Sequence, residues 1–251
     1  MIQSLFDQSG IPEGKALLVH ARLRGLRQRT GLTYEVLADQ ILNGLLSCKP
    51  SLLLIPAFTI YSFMAIRIFN LAYARSEVGR FSEEMRQRGF PRTPDPMYSM
   101  LDVLGKLPQG LNYLQTFGPG TLFDYFQQLD GIIVNIDMPA FYATPVHTVE
   151  LAHDVPYRFN MVFDGHLQEK DEPWTKISYS AYVRKVSSYG TGSYPPYNQQ
   201  RRLVYLRGQG VLNESRTKSG QLAWAPLSSF CSAIGAALGK DKNFLVDQPG
   251  R

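Results

Sequence analysis

Cysteine is scarce in this 251-residue chain: Cys48 and Cys231 are its only two, far apart and outside any Cys-x-x-Cys pattern. That excludes a zinc ribbon and a disulfide framework, and it points to a reducing compartment. Long apolar runs are missing as well. The greasiest stretch, Ser51 to Ile66, is broken by Pro56 and Thr59, and it falls short of the roughly 20 apolar residues that a membrane-spanning helix needs. The first ten residues carry Asp7 and no basic segment followed by an apolar one, so they do not read as a signal peptide. A cytoplasmic location without membrane insertion is the expectation.

Neither sign of charge dominates. A net charge of +5 and a pI near 9.1 allow a polyanionic partner, yet the basic residues are not interleaved with aromatics as in a nucleic-acid module. A phosphorylated cofactor suffices to account for them, and no nucleic acid is expected. With 44% hydrophobic and 19% charged residues and no internal repeat, the chain has the composition of a globular protein able to bury a large core. The expectation is one domain over 1–251, and self-association is left open.

Lys15 to His20 has the length of a buried strand, Thr33 to Leu46 the periodicity of an amphipathic helix with Thr33 as N-cap, and Ser51 to Ile55 that of a second buried strand. Strand, helix and strand in this order predict a parallel βαβ unit and a layered α/β fold, a mixed sheet flanked by helices. Four arginines, Arg22, Arg24, Arg27 and Arg29, follow the first strand. As a loop cluster they are either solvated or suited to phosphates, which arginine grips bidentately.

Ser76 is placed to cap a helix running to Arg88, and Asp95 to cap a short helix from about Met97, whose first N–H groups would suit a phosphate or an oxyanion if Asp95 left them open. Thr121 caps a helix over Leu122 to Leu129, and Gly131 to Ile136 is a third buried strand. Farther on, Tyr157 to Phe163, Ile177 to Val186 and Arg202 to Gly208 alternate like strands, and Leu227 to Leu238 reads as a last helix. In the Gly- and Pro-rich stretch 187–200, Tyr189, Tyr194 and Tyr197 would make an aromatic wall for a ligand or simply pack the loop down.

The central motif is Thr144-Pro145-Val146-His147-Thr148-Val149-Glu150. Proline is tolerated in the first helical turn, so Thr144 reads as the N-cap, with His147 and Glu150 three apart on one helical face. A base and a carboxylate would then project together beside the end of a buried strand, though the same spacing also serves a surface ion pair.

Leu18-Val19-His20 with its arginine-bearing turn, Ile55-Pro56-Ala57-Phe58-Thr59, Gly79 with Glu84-Met85-Arg86, Pro96-Met97-Tyr98-Ser99 and Phe117-Gly118-Pro119-Gly120-Thr121 form an ordered series. It continues through Asp130-Gly131, Thr144-x-x-His147-x-x-Glu150 and Val155-Pro156-Tyr157-Arg158. Taken together this series resembles the aminoglycoside N(3)-acetyltransferase family, including its sugar N-acyltransferase relatives. The likeness covers most of residues 10–160, and 161–251 is the more variable part.

The resemblance implies an α/β fold distinct from that of the more common general-control-related acetyltransferases, with acetyl-CoA or another acyl-CoA as co-substrate. It implies His147 as base and Glu150 as its partner or as anchor for the acceptor ammonium. Coenzyme A contacts are expected at Arg22, Arg24, Ser99, Gly118 and Thr144, and acceptor contacts at Asp95, Tyr98 and Phe141. A thiolate leaves readily, so no metal is expected, and helix-start N–H groups are expected to meet the oxyanion.

Three positions depart from the family pattern. Histidines are common where this chain has Asp95 and Tyr98, and antibiotic-modifying members often carry an acid where it has Phe141. A polycation wants carboxylates, so these departures favour a less cationic amine, such as a nucleotide-linked amino sugar for surface polysaccharide, over an aminoglycoside. A coenzyme A binder that has lost catalysis is the third possibility.

Overall fold

The computed structural model describes residues 2–185 and 196–247. The chain opens with α1 (Gln3–Asp7), β1 (Ala16–Ala21), α2 (Leu23–Thr30), α3 (Tyr34–Ser47) and β2 (Leu52–Pro56). It continues through α4 (Ile60–Ile66), β3 (Ile68–Asn70), α5 (Arg80–Gln87), β4 (Met100–Asp102), α6 (Leu122–Gln128) and β5 (Ile132–Ile136). Then come α7 (Val146–Ala152), β6 (Arg158–Gln168), β7 (Thr175–Arg184), α8 (Gln199–Gly208), β8 (Asn213–Arg216), β9 (Gln221–Pro226) and α9 (Leu227–Lys240).

A six-stranded mixed sheet has the order β4-β2-β1-β5-β9-β8, and a second sheet the order β3-β6-β7. Strand β1 lies parallel to both β2 and β5. Its side chains alternate between two cores. Leu17 and Val19 pack with Val134 and Ile136 against α1, α3 and α5, while Leu18 and Ile133 face α6, α7, α9 and the second sheet. Burial on both faces explains the unbroken apolar runs of these strands, and each such Leu, Ile or Val stabilises the fold by about 1.5–3 kcal/mol.

The expected βαβ unit is present, with β1 and β2 paired from Ala16–Leu52 to Leu18–Leu54. Thr33 caps α3 by accepting from Val36 N at 3.3 Å, and Thr121 caps α6 by accepting from Asp124 N at 3.3 Å. Because β2 and β5 lie on opposite sides of β1, the strand order reverses between β1 and β5. The carboxyl ends of those strands therefore open a crevice, the usual ligand position in an open α/β sheet.

Several sequence expectations need correction. Residues 202–208 belong to α8 and not to a strand: Arg202, Leu203 and Leu206 are its buried side chains, a helical spacing, and Asn198 caps it through Arg201 N at 2.7 Å. The arginine cluster rides largely on α2 and not in a loop. The helix expected from Ser76 starts only after Gly79, at φ 108°. No helix begins at Met97, where a turn leads straight into β4, the antiparallel partner of β2. Strands β8 and β9 were not expected at all, although β9 pairs with β5 along its length, from Ile132–Pro226 to Ile136–Leu222. Among the described residues no helix is long and apolar enough to cross a membrane.

Candidate active site

Helix α7 begins with a tight turn in which Val146, His147 and Thr148 N–H groups donate to the carbonyls of Ala143, Thr144 and Pro145. Pro145 occupies the N-cap position with helical φ, and no side chain caps the helix. Thr144 is therefore not the cap that the sequence suggests. The engaged N–H groups also leave this helix start unable to serve as the expected oxyanion site.

The helical spacing does bring His147 and Glu150 together, with Nδ1 and Oε2 2.6 Å apart. Glu150 is fully buried, and four donors converge on it. Besides His147 these are the Tyr157 hydroxyl at 2.8 Å, the Tyr197 hydroxyl at 2.9 Å and Arg158 Nε at 2.8 Å. Arg158 also donates to the Tyr197 oxygen at 2.6 Å and to the Tyr182 carbonyl at 2.6 Å. The nitrogen that meets Tyr197, Nη2, also points at His147 Nε2 across 3.4 Å. These partners assign the imidazole a proton on Nδ1, donated to Glu150, and a lone pair on Nε2.

The electrostatics agree with a neutral imidazole. Burial first, and the Arg158 guanidinium second, lower the His147 pKa to about 4. Glu150 is held at about 2: burial pushes it upward, but the charge that His147 gains at low pH, the hydrogen bond from His147 and the Arg158 charge outweigh that. Arg158 supplies the compensating positive charge. Arg158→Gln is expected to raise the His147 midpoint from about 4 toward 6.5, read by NMR titration of the imidazole; an unmoved midpoint would show that the guanidinium is not a cause.

His147, Thr144 and Tyr98 line one cleft of about 210 Å³ together with Phe58, Arg184 and Tyr197. The His147 ring lies 6.4 Å from Tyr98 and 5.4 Å from Phe117, edge to face in both cases. Asp95 stands behind this wall. It is buried, and Oδ1 accepts from Met97 N at 2.9 Å, Tyr98 N at 2.7 Å and the Tyr179 hydroxyl at 2.7 Å. Burial raises its pKa to about 6 against the pull of those bonds. Asp95 thus fills the N–H groups that a ligand would have needed, and it acts on the cleft only by fixing Tyr98.

Other expected contacts fall elsewhere. Phe141 lines a separate cleft of about 440 Å³ with Asn135, Met138 and Arg207, its ring 6.0 Å from Phe230. Arg22 and Arg24 line a surface hollow of about 350 Å³ at the crevice between β1 and β5, and this hollow shares Met138, Pro139 and Gln221 with the Phe141 cleft. In the same hollow Arg29 is already paired with Asp137.

Ser99 is fully buried, donating to the Ala57 carbonyl at 2.8 Å and accepting from Arg92 Nε at 3.0 Å. Its hydroxyl bolts β2 to β4 and reaches no cleft. Gly118, at φ 123°, lies in the turn before α6, where an added Cβ would meet Gln115 Nε2 at 2.5 Å. It lines neither the His147 cleft nor the arginine hollow. Tyr189 and Tyr194 fall outside the described residues.

Arg158 and Tyr157 stand in the motif series, yet nothing local in the sequence marks them as site residues. They follow α7 by only a few residues, and the turn into β6 folds them back over Glu150. The same lack of a local mark holds for Arg202, whose buried guanidinium donates to the Phe141 carbonyl at 2.6 Å. An arginine buried in α8 has no local signature.

No protein-family model matches the sequence, and no curated protein matches it either. Solved structures do. Aminoglycoside acetyltransferase AAC(3)-Xa superposes with a TM-score of 0.71 at 15% identity, over 98% of this chain and 92% of the other. AAC-IIIb in a binary complex with CoASH gives 0.71 at 12% identity, over 99% and 97%. Sisomicin-bound AAC-VIa gives 0.71 at 13% identity, over 95% and 96%. The motif resemblance read from residues 10–160 thus extends to architecture over nearly the whole chain, which has the fold of the aminoglycoside N(3)-acetyltransferases.

Proposed function

We propose that this chain is an acyl-coenzyme A dependent N-acyltransferase with His147 as its general base. The observation that carries this is a neutral imidazole beside an open cleft, its Nδ1–H anchored on a buried carboxylate and its Nε2 unprotonated, met only by a long 3.4 Å contact from Arg158. An amine must shed a proton as it attacks an acyl carbon, and a base within hydrogen-bond reach can take it. An acyl thioester of coenzyme A supplies the activated carbonyl.

His147 Nε2 accepts the proton that the amine loses and returns it to the departing sulfur, so the base is regenerated. Glu150 keeps the ring in the Nδ1–H tautomer and steadies the imidazolium that forms transiently. Arg22 and Arg24, at the carboxyl end of β1, suit the phosphates of coenzyme A, since that position and bidentate guanidinium donors both favour phosphate. The hollow that they line runs on to Phe141 through Met138 and Pro139. The solved AAC-IIIb binds CoASH, which supports the same co-substrate here.

Among acceptors, the comparisons favour the aminoglycoside class, because AAC-VIa binds sisomicin and AAC(3)-IVa binds gentamicin. An amino sugar linked to a nucleotide rests only on the residues at Asp95, Tyr98 and Phe141. A thiol-release assay with several acyl-coenzyme A donors against amino sugars and aminoglycosides tests the reaction. Release that needs both donor and amine is the expected result. Coenzyme A binding without release for any amine would overturn the reading in favour of a non-catalytic binder.

A further inference from the structure

The segment between β5 and α7, residues 137–145, borders two sites at once. Met138 and Pro139 line both the arginine hollow and the Phe141 cleft, and Thr144 lines the His147 cleft. The path of this segment therefore sets how far the base stands from the hollow assigned to the acyl donor. It is neither helix nor strand, and it starts at Asp137 with φ 53°, a conformation uncommon for a residue with a side chain. Backbone of this kind keeps one shape only when groups from other elements hold it.

Those groups are present at both ends. At the first end Arg29 of α2 pairs with Asp137, and Gln221 of β9 donates to the Met138 carbonyl at 2.9 Å. At the second, the buried Asn135 side chain donates to the Tyr142 carbonyl at 2.8 Å and accepts from Tyr142 N at 2.6 Å. Beside it, Arg202 of α8 donates to the Phe141 carbonyl at 2.6 Å. Gln199, three residues earlier on α8, accepts from the same guanidinium nitrogen and aims it. The next two carbonyls, of Ala143 and Thr144, accept from Val146 and His147 N. Arg202 thus grips the chain directly before the turn that launches α7.

A guanidinium only 4% exposed between neutral acceptors, a backbone carbonyl and a glutamine amide, is costly. An apolar side chain would fill the same space at less cost but would leave the Phe141 carbonyl without this donor. The guanidinium also lies within electrostatic reach of the base: after burial and Arg158, it adds to what lowers the His147 pKa.

We propose that Arg202 is a positioning residue for acyl transfer: by holding the Phe141 carbonyl it fixes the β5–α7 segment, and through that segment the spacing between His147 and the acyl donor. This rests on the acyltransferase reading above and deepens it. A reacting group misplaced by about 1 Å costs on the order of 10²-fold in rate. Donor binding draws on other residues, so the loss falls on kcat.

Arg202→Met is expected to lower kcat for thiol release by about 10²-fold, with KM for the acyl-coenzyme A donor within about threefold of the parent. Arg202→Lys keeps one donor for the same carbonyl and should recover about tenfold of that loss. Gln199→Ala removes only the acceptor that aims the guanidinium and should cost about threefold in kcat; it carries the test if the methionine variant does not fold. Parental kcat in Gln199→Ala, or equal losses in Arg202→Met and Arg202→Lys, would overturn the proposal. If no amine released thiol, the acyltransferase reading would fail and NMR would still decide the positioning. The His147 ring resonance is identified among the four histidines by its loss in His147→Ala. Displacement of that resonance in Arg202→Met and Gln199→Ala, with partial return in Arg202→Lys, is the expected result, and a position common to all four proteins would overturn it.

Discussion

His147→Ala is expected to lower kcat for thiol release by about 10²–10⁴-fold, the usual contribution of a positioned general base. KM for the acyl-coenzyme A donor should change little, because the ring sits in the smaller cleft and the arginine hollow is separate from it. The loss belongs to the chemical step and not to folding. His147 packs edge to face on Tyr98 and Phe117, but those rings also pack on each other and on Phe58 and Phe123. Steady-state assays beside a thermal melt separate the two effects. Turnover within threefold of the parent protein would remove His147 from the role assigned to it.

The second large effect is structural. Glu150→Ala removes the acceptor for four donors, Tyr157 and Arg158 among them buried, and strands the Arg158 guanidinium, whose side chain is only 4% exposed. Breaking a buried pair in this way destabilises by about 3–5 kcal/mol, because the remaining charge has no compensation. Denaturant unfolding should show a lower midpoint with unchanged slope. Glu150→Gln keeps an oxygen for the tyrosines and should lose less. Equal stability of the alanine variant and the parent would mean that the cluster is already solvated.

The same cluster sets a pH dependence. Glu150 is depressed from 4.5 to about 2, so its stabilisation is fully present above pH 4.5 and fades as pH falls toward 2. His147 and the half-buried His20 are both depressed from 6.5 to about 4, for His20 by loss of solvation first and then by Arg202. Between pH 6.5 and 4 the unfolded chain therefore binds protons that the folded chain refuses, and stability declines over that window.

Much of the sheet was legible because its strands are buried on both faces and its helices begin on Thr33 and Thr121, whose hydroxyls act within three residues. Legibility failed where local pattern and tertiary packing diverged. The Arg-Arg-Leu-Val-Tyr-Leu stretch at 201–206 alternates acceptably as a strand, but Asn198 caps it and Leu203 and Leu206 bury on one helical side. Asp95 was correctly a cap, yet of a turn, because β4 had to pair with β2 directly after it. Ser99 looked polar and available until β2 and β4 closed around it.

At the site, sequence alone determined that His147 and Glu150 would meet, since residues three apart on a helix share a face whatever surrounds them. It also determined the parallel β1–β2 pairing and the arginine-rich exit of β1, both products of short-range pattern. Only the tertiary structure decided what the pair became. The return of the chain into β6 placed Arg158 on Glu150, and Tyr197 came from beyond the second sheet to complete its saturation. A carboxylate's partners are chosen in space and not along the chain, and the low dielectric around a buried group makes that choice decisive. That choice keeps His147 neutral and leaves Glu150 no lone pair for a substrate cation.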